Sequence, residues 1–214
     1  MITNIDELYE ILSDHMDHSV WWDTENLWEI VVGSVLVQNT NWKNVDYSLQ
    51  NIREEMGFVP EKLAAVDLLL LQDLIRPSGF YKNKSRTLKD LFLWFGTYDF
   101  DLAVMQEKET SELRDELLSI KGVGSETADV LLVFVLNKVL FVADRYAQRI
   151  FQRMGVETPL TYNKLQGMAV LPEGFTNEQA QNLHGWLVDY GQVYLKSDEK
   201  WPEGFLSQFT LKWA

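Results

Sequence analysis

The sequence predicts an all-α protein. Apolar residues recur at three- and four-residue spacing along nearly the whole chain, and only five prolines and twelve glycines interrupt 214 residues. The punctuation that does occur is of the kind that starts and stops helices. Thr176 with Gln179 reads as a capping box, Pro60 suits a first helical turn, and Gly79, Gly96, Gly155 and Gly174 mark stops or turns. The periodicity predicts helices over about 4–18, 25–38, 41–56, 60–65, 67–76, 80–95, 99–106, 110–119, 125–136, 144–154, 161–170 and 176–196, then a short C-terminal piece. No linker, internal repeat or low-complexity tract separates them.

With 46% hydrophobic residues the chain can bury a sizeable core, as one large domain or two small ones. No stretch approaches the roughly 18 to 20 apolar residues of a membrane span. The first residues run acidic (Asp6, Glu7, Glu10), unlike a secretion signal, so a soluble cytoplasmic protein with no membrane partner is expected. Zero cysteines exclude disulfides, thiolate catalysis, zinc-thiolate sites and a cysteine-held iron–sulfur cluster. Three scattered histidines (His15, His18, His184) offer little to a transition metal.

Charge argues against a polyanionic partner in total but not locally. Nineteen basic against 32 acidic residues give a net charge of −13. Residues 1–42 hold eight acids and no Lys or Arg, whereas 76–90 hold Arg76, Lys82, Lys84, Arg86 and Lys89 against Asp90 alone. A second basic cluster, Lys138, Arg145, Arg149 and Arg153, surrounds Asp144. Two solvated helix faces would explain both clusters equally well.

Three constellations carry chemistry. In Leu117-Leu118-Ser119-Ile120-Lys121-Gly122-Val123-Gly124-Ser125-Glu126-Thr127-Ala128, an apolar helix ends at Ser119, a two-glycine turn follows, and a helix begins near Ser125. Such a turn leaves the N–H groups of Gly122 to Ser125 unpaired, the geometry that receives a phosphate; taken alone it is an ordinary helical turn. Twenty-two residues after Gly122 an apolar run reaches Asp144, which opens a helix followed by Arg145 and Arg149. By itself Asp144 is an N-cap; in a cleft near phosphates the same carboxylate would stabilise a sugar cation and orient water. The third constellation is Trp21-Trp22-Asp23 followed by Gln38-Asn39-Thr40-Asn41-Trp42. Most of the eight tryptophans are expected in the core, but indole faces around a pocket would stack on a nucleobase and favour a cationic one.

Together these residues resemble the helix-hairpin-helix DNA glycosylases of the endonuclease III type, over roughly residues 27–195. The match rests on Gln38-Asn39-Thr40, the Ile120 to Ala128 hairpin, Asp144 at the family's offset, and His184-Gly185. The resemblance implies an endonuclease III-like fold of two helical domains: a six-helix barrel at 27–134 ending in the hairpin, and a second domain from 1–26 and 135–214 carrying the catalytic aspartate. Bifunctional members carry a nucleophilic lysine two residues after the second glycine, where this chain has Glu126, and the family's usual four-cysteine cluster is missing. Arg76-Pro77-Ser78-Gly79-Phe80-Tyr81, Lys121-Gly122-Val123-Gly124 with Glu126 and Ala128-Asp129, and the paired tryptophans are most similar to the 3-methyladenine glycosylases of the MagIII type, which also lack the cluster.

That resemblance implies a monofunctional DNA N-glycosylase of base excision repair, acting as a monomer on double-stranded DNA that contains a damaged base. Asp144 would be catalytic, Trp21, Trp22 and Trp42 would wall the base pocket, and Gln38 would fill the vacated stack. Lys121, Gly122, Val123, Gly124, Ser125 and Arg145 would hold DNA. Carbonyls of Leu118, Ile120 and Val123 would hold a monovalent cation, Na+ or K+, and no other cofactor is expected. An alkylated purine such as 3-methyladenine is already cationic, so it leaves without a general acid. A catalytically silent hairpin protein and a mismatch glycosylase are the rival readings; retention of Asp144 opposes the first, and the leaving-group help a neutral base needs opposes the second.

Overall fold

Side-chain caps, more than hydropathy, fix where many of the helices start. The computed structural model describes residues 1–17, 22, 24–157 and 159–212. Among them run twelve α-helices: α1 (Ile5–His15), α2 (Leu27–Leu36), α3 (Trp42–Glu55), α4 (Pro60–Ala65), α5 (Leu68–Leu74), α6 (Tyr81–Gly96), α7 (Leu102–Gln106), α8 (Thr110–Ser119), α9 (Ser125–Phe134), α10 (Arg145–Arg153), α11 (Tyr162–Met168) and α12 (Asn177–Tyr194). Short 3-10 turns lie at Arg76–Ser78, Trp201–Glu203 and Phe205–Gln208. The all-α class therefore holds, and each predicted helix is present, most of them trimmed at one or both ends. Asn26 trims α2, its side chain accepting from the Trp28 amide, and Asn41 trims α3 by accepting from Asn44. At α12 the Thr176 and Gln179 capping box forms in both directions.

The chain divides into two compact units, Thr24–Lys138 and Met1–Asp23 with Val139–Ala214. In the continuous unit, α2 is the central helix: every residue from Ile30 to Leu36 is buried, and it packs on α3, α6 and α9. Trp28 meets Phe95 edge-on at 5.0 Å and Phe92 at 5.9 Å. Lysines tie loops inward, Lys89 donating to the carbonyls of Ala64 and Val66, and Lys138 to those of Gln106 and Lys108. Glu116 of α8 accepts from Trp94, Tyr98 and Lys108, which holds the first hairpin helix to the end of α6.

The discontinuous unit is assembled from both chain ends. The Ile2 amide donates to the Thr210 carbonyl at 2.8 Å and the Lys212 amide to the Ile2 carbonyl at 2.9 Å. Tyr190 of α12 is fully buried beside Tyr194, Trp201 and Phe205. Its hydroxyl accepts from the Leu206 amide, and burial pushes its pKa up to about 12. Tyr9 of α1 packs against Phe175 and Trp186, and His15 stacks on Phe205 at 4.4 Å.

Candidate functional site

The turn between α8 and α9 is closed by its own backbone. The Ile120 amide donates to the Leu117 carbonyl and the Val123 amide to the Ile120 carbonyl, at 3.1 and 3.0 Å. This corrects one expectation: the Val123 N–H does not point outward with its neighbours, because a turn this tight needs that bond to close. The same bond engages the Ile120 carbonyl, leaving only its second lone pair for a cation.

The two glycines differ in kind. Gly122 has φ +94°, and a Cβ there would lie 2.1 Å from the Thr87 hydroxyl, so the fold itself requires glycine. Gly124 has φ −98° and nothing within 4 Å of a Cβ, so neither backbone nor packing requires it. Gly124 is the N-cap of α9 and supplies no side-chain acceptor, which leaves the first-turn amides of α9 uncapped by it. The exposed tip thus presents Lys121, Gly122 and Gly124 around a helix N-terminus, with Ser125 and Glu126 half-buried behind them.

Beneath the tip the hairpin is rigidly tied. Asp129 of α9 is fully buried and accepts from Arg114 of α8 through both oxygens, at 2.7 and 3.3 Å. The Thr87 hydroxyl of α6 lies 3.1 Å from the Lys121 carbonyl. Gln38, just past α2, reaches the same hairpin: its Nε2 is 3.3 Å from the Thr127 hydroxyl and 3.4 Å from the Ser34 carbonyl. Asn39 beside it is exposed with φ +54°, and Trp42 opens α3 half-buried.

A residue that sequence reasoning missed lies at the start of α6. Phe80 is 67% exposed and sits in the left-handed region at φ +47°, directly after Gly79 at φ +68°. A non-glycine residue held there costs of order 1–2 kcal/mol, and an aromatic ring held in solvent recovers none of it by packing. The Gly79-Phe80 pair was the available signal, because glycine before a helix marks a special turn. Nearby, Arg76 pairs with Asp73 and lies 4.7 Å from the Tyr81 ring centroid. Of the five cations in 76–90, Lys84 and Lys89 turn inward; Lys82 and Arg86 are exposed and make no ion pair among the described residues.

Asp144 belongs to the discontinuous unit. It is the N-cap of α10, is 6% exposed, and its Oδ1 accepts from the Ala147 amide at 2.7 Å. A buried carboxylate is therefore kept at a helix N-terminus, where amides and the helix dipole favour its charge. Arg145, the first residue of α10, and Arg149 are both exposed, but Arg149 also donates to the Leu195 carbonyl at 2.8 Å, and Arg153 pairs with Asp198. The second basic cluster is thus mostly structural. Trp22 is half-buried in this unit, and Trp21 lies outside the described residues. His184 of α12 is buried, and desolvation pushes its pKa down to about 3, so it is neutral at physiological pH. Gln38, Trp42 and the hairpin share the continuous unit, while Asp144, Arg145 and Trp22 share the other.

An all-helical chain with an open-ended helix-hairpin-helix, and a buried aspartate capping the next long helix, has the build of a helix-hairpin-helix repair protein. Residues 32–168 match the family described as HhH-GPD superfamily base excision DNA repair protein, and the chain belongs to that family of DNA repair glycosylases. It is 42% identical over 152 residues to a provisionally named DNA repair glycosylase of Methanocaldococcus jannaschii, covering 70% of this chain and 69% of that one. With endonuclease III of Sulfolobus acidocaldarius it shares 26% identity over 176 residues, 81% of this chain and 76% of the other. Among solved structures it is similar to the H. pylori 3-methyladenine DNA glycosylase MagIII bound to 1,N6-ethenoadenine. That likeness has TM-score 0.69 and 26% identity, over 88% of this chain and 97% of MagIII. A non-covalent endonuclease III–DNA complex has the same fold, with TM-score 0.70 and 22% identity over 96% and 91% of the two chains.

Proposed function

We propose that the protein is a monofunctional DNA N-glycosylase that hydrolyses the glycosidic bond of an alkylated purine such as 3-methyladenine, flipped out of duplex DNA. The observation that carries this reading is Asp144, a buried carboxylate capping a helix N-terminus, in a chain whose hairpin has Glu126 in place of a nucleophilic lysine. In the alkylated nucleotide the purine is already cationic. The C1′–N bond breaks with its electron pair leaving on the base, which departs neutral. Asp144 stabilises the oxocarbenium-like sugar, and water attacks C1′ and gives up its proton towards the carboxylate. The likeness to MagIII supports the substrate class.

DNA is bound in this reading by the first-turn amides of α9, by Lys121 and, in the other unit, by Arg145. The indoles assigned to the extruded base are Trp22, Trp42 and Trp21, the last outside the described residues, and Gln38 and the exposed Phe80 are assigned to the duplex, an apolar wedge being the use that repays a strained, solvated aromatic. The carbonyls of Leu118, Ile120 and Val123 are hard oxygen donors that suit Na+ or K+ between the hairpin and a phosphate. No redox cofactor enters the reaction, and the protein acts as a monomer.

The test is to incubate the protein with methylated duplex DNA and identify released bases by mass. Release of 3-methyladenine without strand cleavage, and with no borohydride-trapped covalent complex, is expected. Trapping that disappears on mutation of one particular lysine would overturn the monofunctional reading. Preferential release of a neutral base would overturn the alkylpurine assignment. Binding without release of any base would leave a silent hairpin protein.

A further inference from the structure

Among the described residues, Lys84 is the one buried lysine, and it pairs with no carboxylate. It is 6% exposed, and its Nζ donates to the Leu36 carbonyl at 2.8 Å and the Ser78 carbonyl at 2.7 Å. Leu36 is the last residue of α2, two before Gln38, and Ser78 ends the 3-10 turn two before Phe80. A single ammonium from α6 therefore joins the roots of the two turns whose tips are Gln38-Asn39 and Gly79-Phe80. Both tips carry a non-glycine residue at positive φ, Asn39 at +54° and Phe80 at +47°. Such conformations persist only where the surroundings over-determine them. Burying this charge has a cost, seen in a pKa pushed down by desolvation to about 8. A neutral side chain would close an ordinary core without that cost. What it would not do is hold two carbonyls from separate segments on one point.

We infer that Lys84 is a positioning residue: its ammonium fixes the spacing between the Gln38-Asn39 and Gly79-Phe80 turns, so that both tips enter a DNA duplex together. The inference rests on the reading of those tips as duplex-entering groups. It concerns opening of the duplex and is independent of which base is released.

The probe is a duplex carrying an abasic-site analogue, with 2-aminopurine as the neighbouring base, whose fluorescence rises on unstacking. The parent protein, Lys84→Met, Phe80→Gly and the double variant are compared, with affinity read separately by anisotropy and folding by circular dichroism. Lys84→Met should keep its affinity within about threefold, since the hairpin is untouched, and lose at least about threefold of the saturating fluorescence gain. In the Phe80→Gly background the same substitution should cost little further, because the residue it positions is gone. If Lys84→Met does not fold, Lys84→Arg serves in the same cycle, as a planar fork does not reproduce the two-carbonyl grip of a compact ammonium. An unchanged fluorescence gain, or an equal proportional loss in both Phe80 backgrounds, would overturn the positioning role. A parent protein that gives no fluorescence gain on this duplex would instead sink the reading of the tips as duplex-entering groups, and this inference with it.

Discussion

Replacing Gly124 by aspartate should raise stability and lower DNA affinity, two signs that a merely structural glycine would not show. The position has the extended φ of −98° and ψ of 175° that an N-cap residue adopts, with open space around Cβ, so an aspartate enters without strain. Its carboxylate would accept from the first-turn amides of α9, and exchange of glycine for aspartate at an N-cap gains a few tenths of a kcal/mol. Charge at the helix N-terminus adds about 0.3–1 kcal/mol, partly offset by Glu126, the second residue of the same turn. A net gain of about 0.5 kcal/mol corresponds to roughly 1–2 °C in melting temperature for a chain of this length. If the hairpin binds DNA as proposed, the same carboxylate occupies the amides that would receive a phosphate and sets two anions about 4 Å apart. That repulsion is about 1 kcal/mol in water and about 4 kcal/mol at an effective dielectric of 20. Affinity for an abasic-site duplex should therefore fall at least about tenfold, and the slope of log K against log salt should shrink by about one. Gly124→Asn, which caps without charge, should fall between parent and aspartate. Anisotropy titrations over a salt series and thermal melts decide the matter. Parent-like affinity at every salt concentration would show that the hairpin is not the DNA anchor, and a clear loss of stability would show that the fold required the glycine after all.

Three further outcomes are expected. Asp144→Asn retains an equally good N-cap for the Ala147 amide, so melting should barely move while single-turnover base release falls by on the order of 100-fold; Asp144→Ala should lose about 1 kcal/mol of stability as well. Parent-like excision by Asp144→Asn would leave that residue with its capping role only. Trp42→Leu keeps most of the apolar area of a half-buried residue while removing the indole quadrupole, so it should cut release of a cationic base by about 2- to 30-fold with little loss of stability; a large drop in melting temperature instead would place Trp42 in the core. His184, its pKa held down near 3 by burial, refuses a proton that the unfolded chain accepts below about 6.5, so its share of stability is complete above that pH and is lost as pH falls towards 3. The slope is at most about 1.4 kcal/mol per pH unit, and urea titrations at stepped pH should be flatter for His184→Gln than for the parent.

What was legible in the sequence is what short-range chemistry decides. Helices α1 to α12 follow from 3.6-residue periodicity, and the start of α12 from its capping box, whereas the acceptors Asn26, Asn41, Asp67, Asp101 and Thr161, each taking an amide two or three residues on, set starts that periodicity alone leaves loose. The hairpin was legible because two glycines between amphipathic helices have few other uses. Long-range partners were not. Nothing in the order of residues says that Lys84 of α6 ends between the carbonyls of Leu36 and Ser78, 48 and 6 residues away, or that Arg114 and Asp129 lock α8 to α9. Nor does the sequence distinguish Gly122, which Thr87 forbids to be anything larger, from Gly124, which nothing in the fold forbids. The Val123 amide illustrates the same limit, since only the turn's closure reveals that its proton is taken.

The fates of the basic residues bear on how a chain of net charge −13 would meet a polyanion. Lys84, Lys89, Lys138 and Arg149 all donate to main-chain carbonyls, so they brace the fold and are poorly placed to release counterions from DNA. In the continuous unit Lys82 and Arg86 of α6 and Lys121 of the hairpin stay exposed, as do Lys43 of α3 and Lys62 of α4. Each neutralised phosphate contributes about 0.9 to the salt dependence of log K, so the three cations of α6 and the hairpin, with a set of amides, make a small electrostatic footprint on arbitrary duplex. Long-range repulsion from the acidic remainder weakens it further at low ionic strength and fades within a Debye length of about 8 Å at physiological salt. On the proposed reading the hairpin carries binding, and discrimination between sites then comes from what undamaged DNA does not offer: a site soft enough to kink over Phe80 and Gln38 and to release a base that is already poorly paired. A basic surface would hold the protein on every stretch of duplex, whereas an acidic one with a small cationic tip makes deformability the main term in selection.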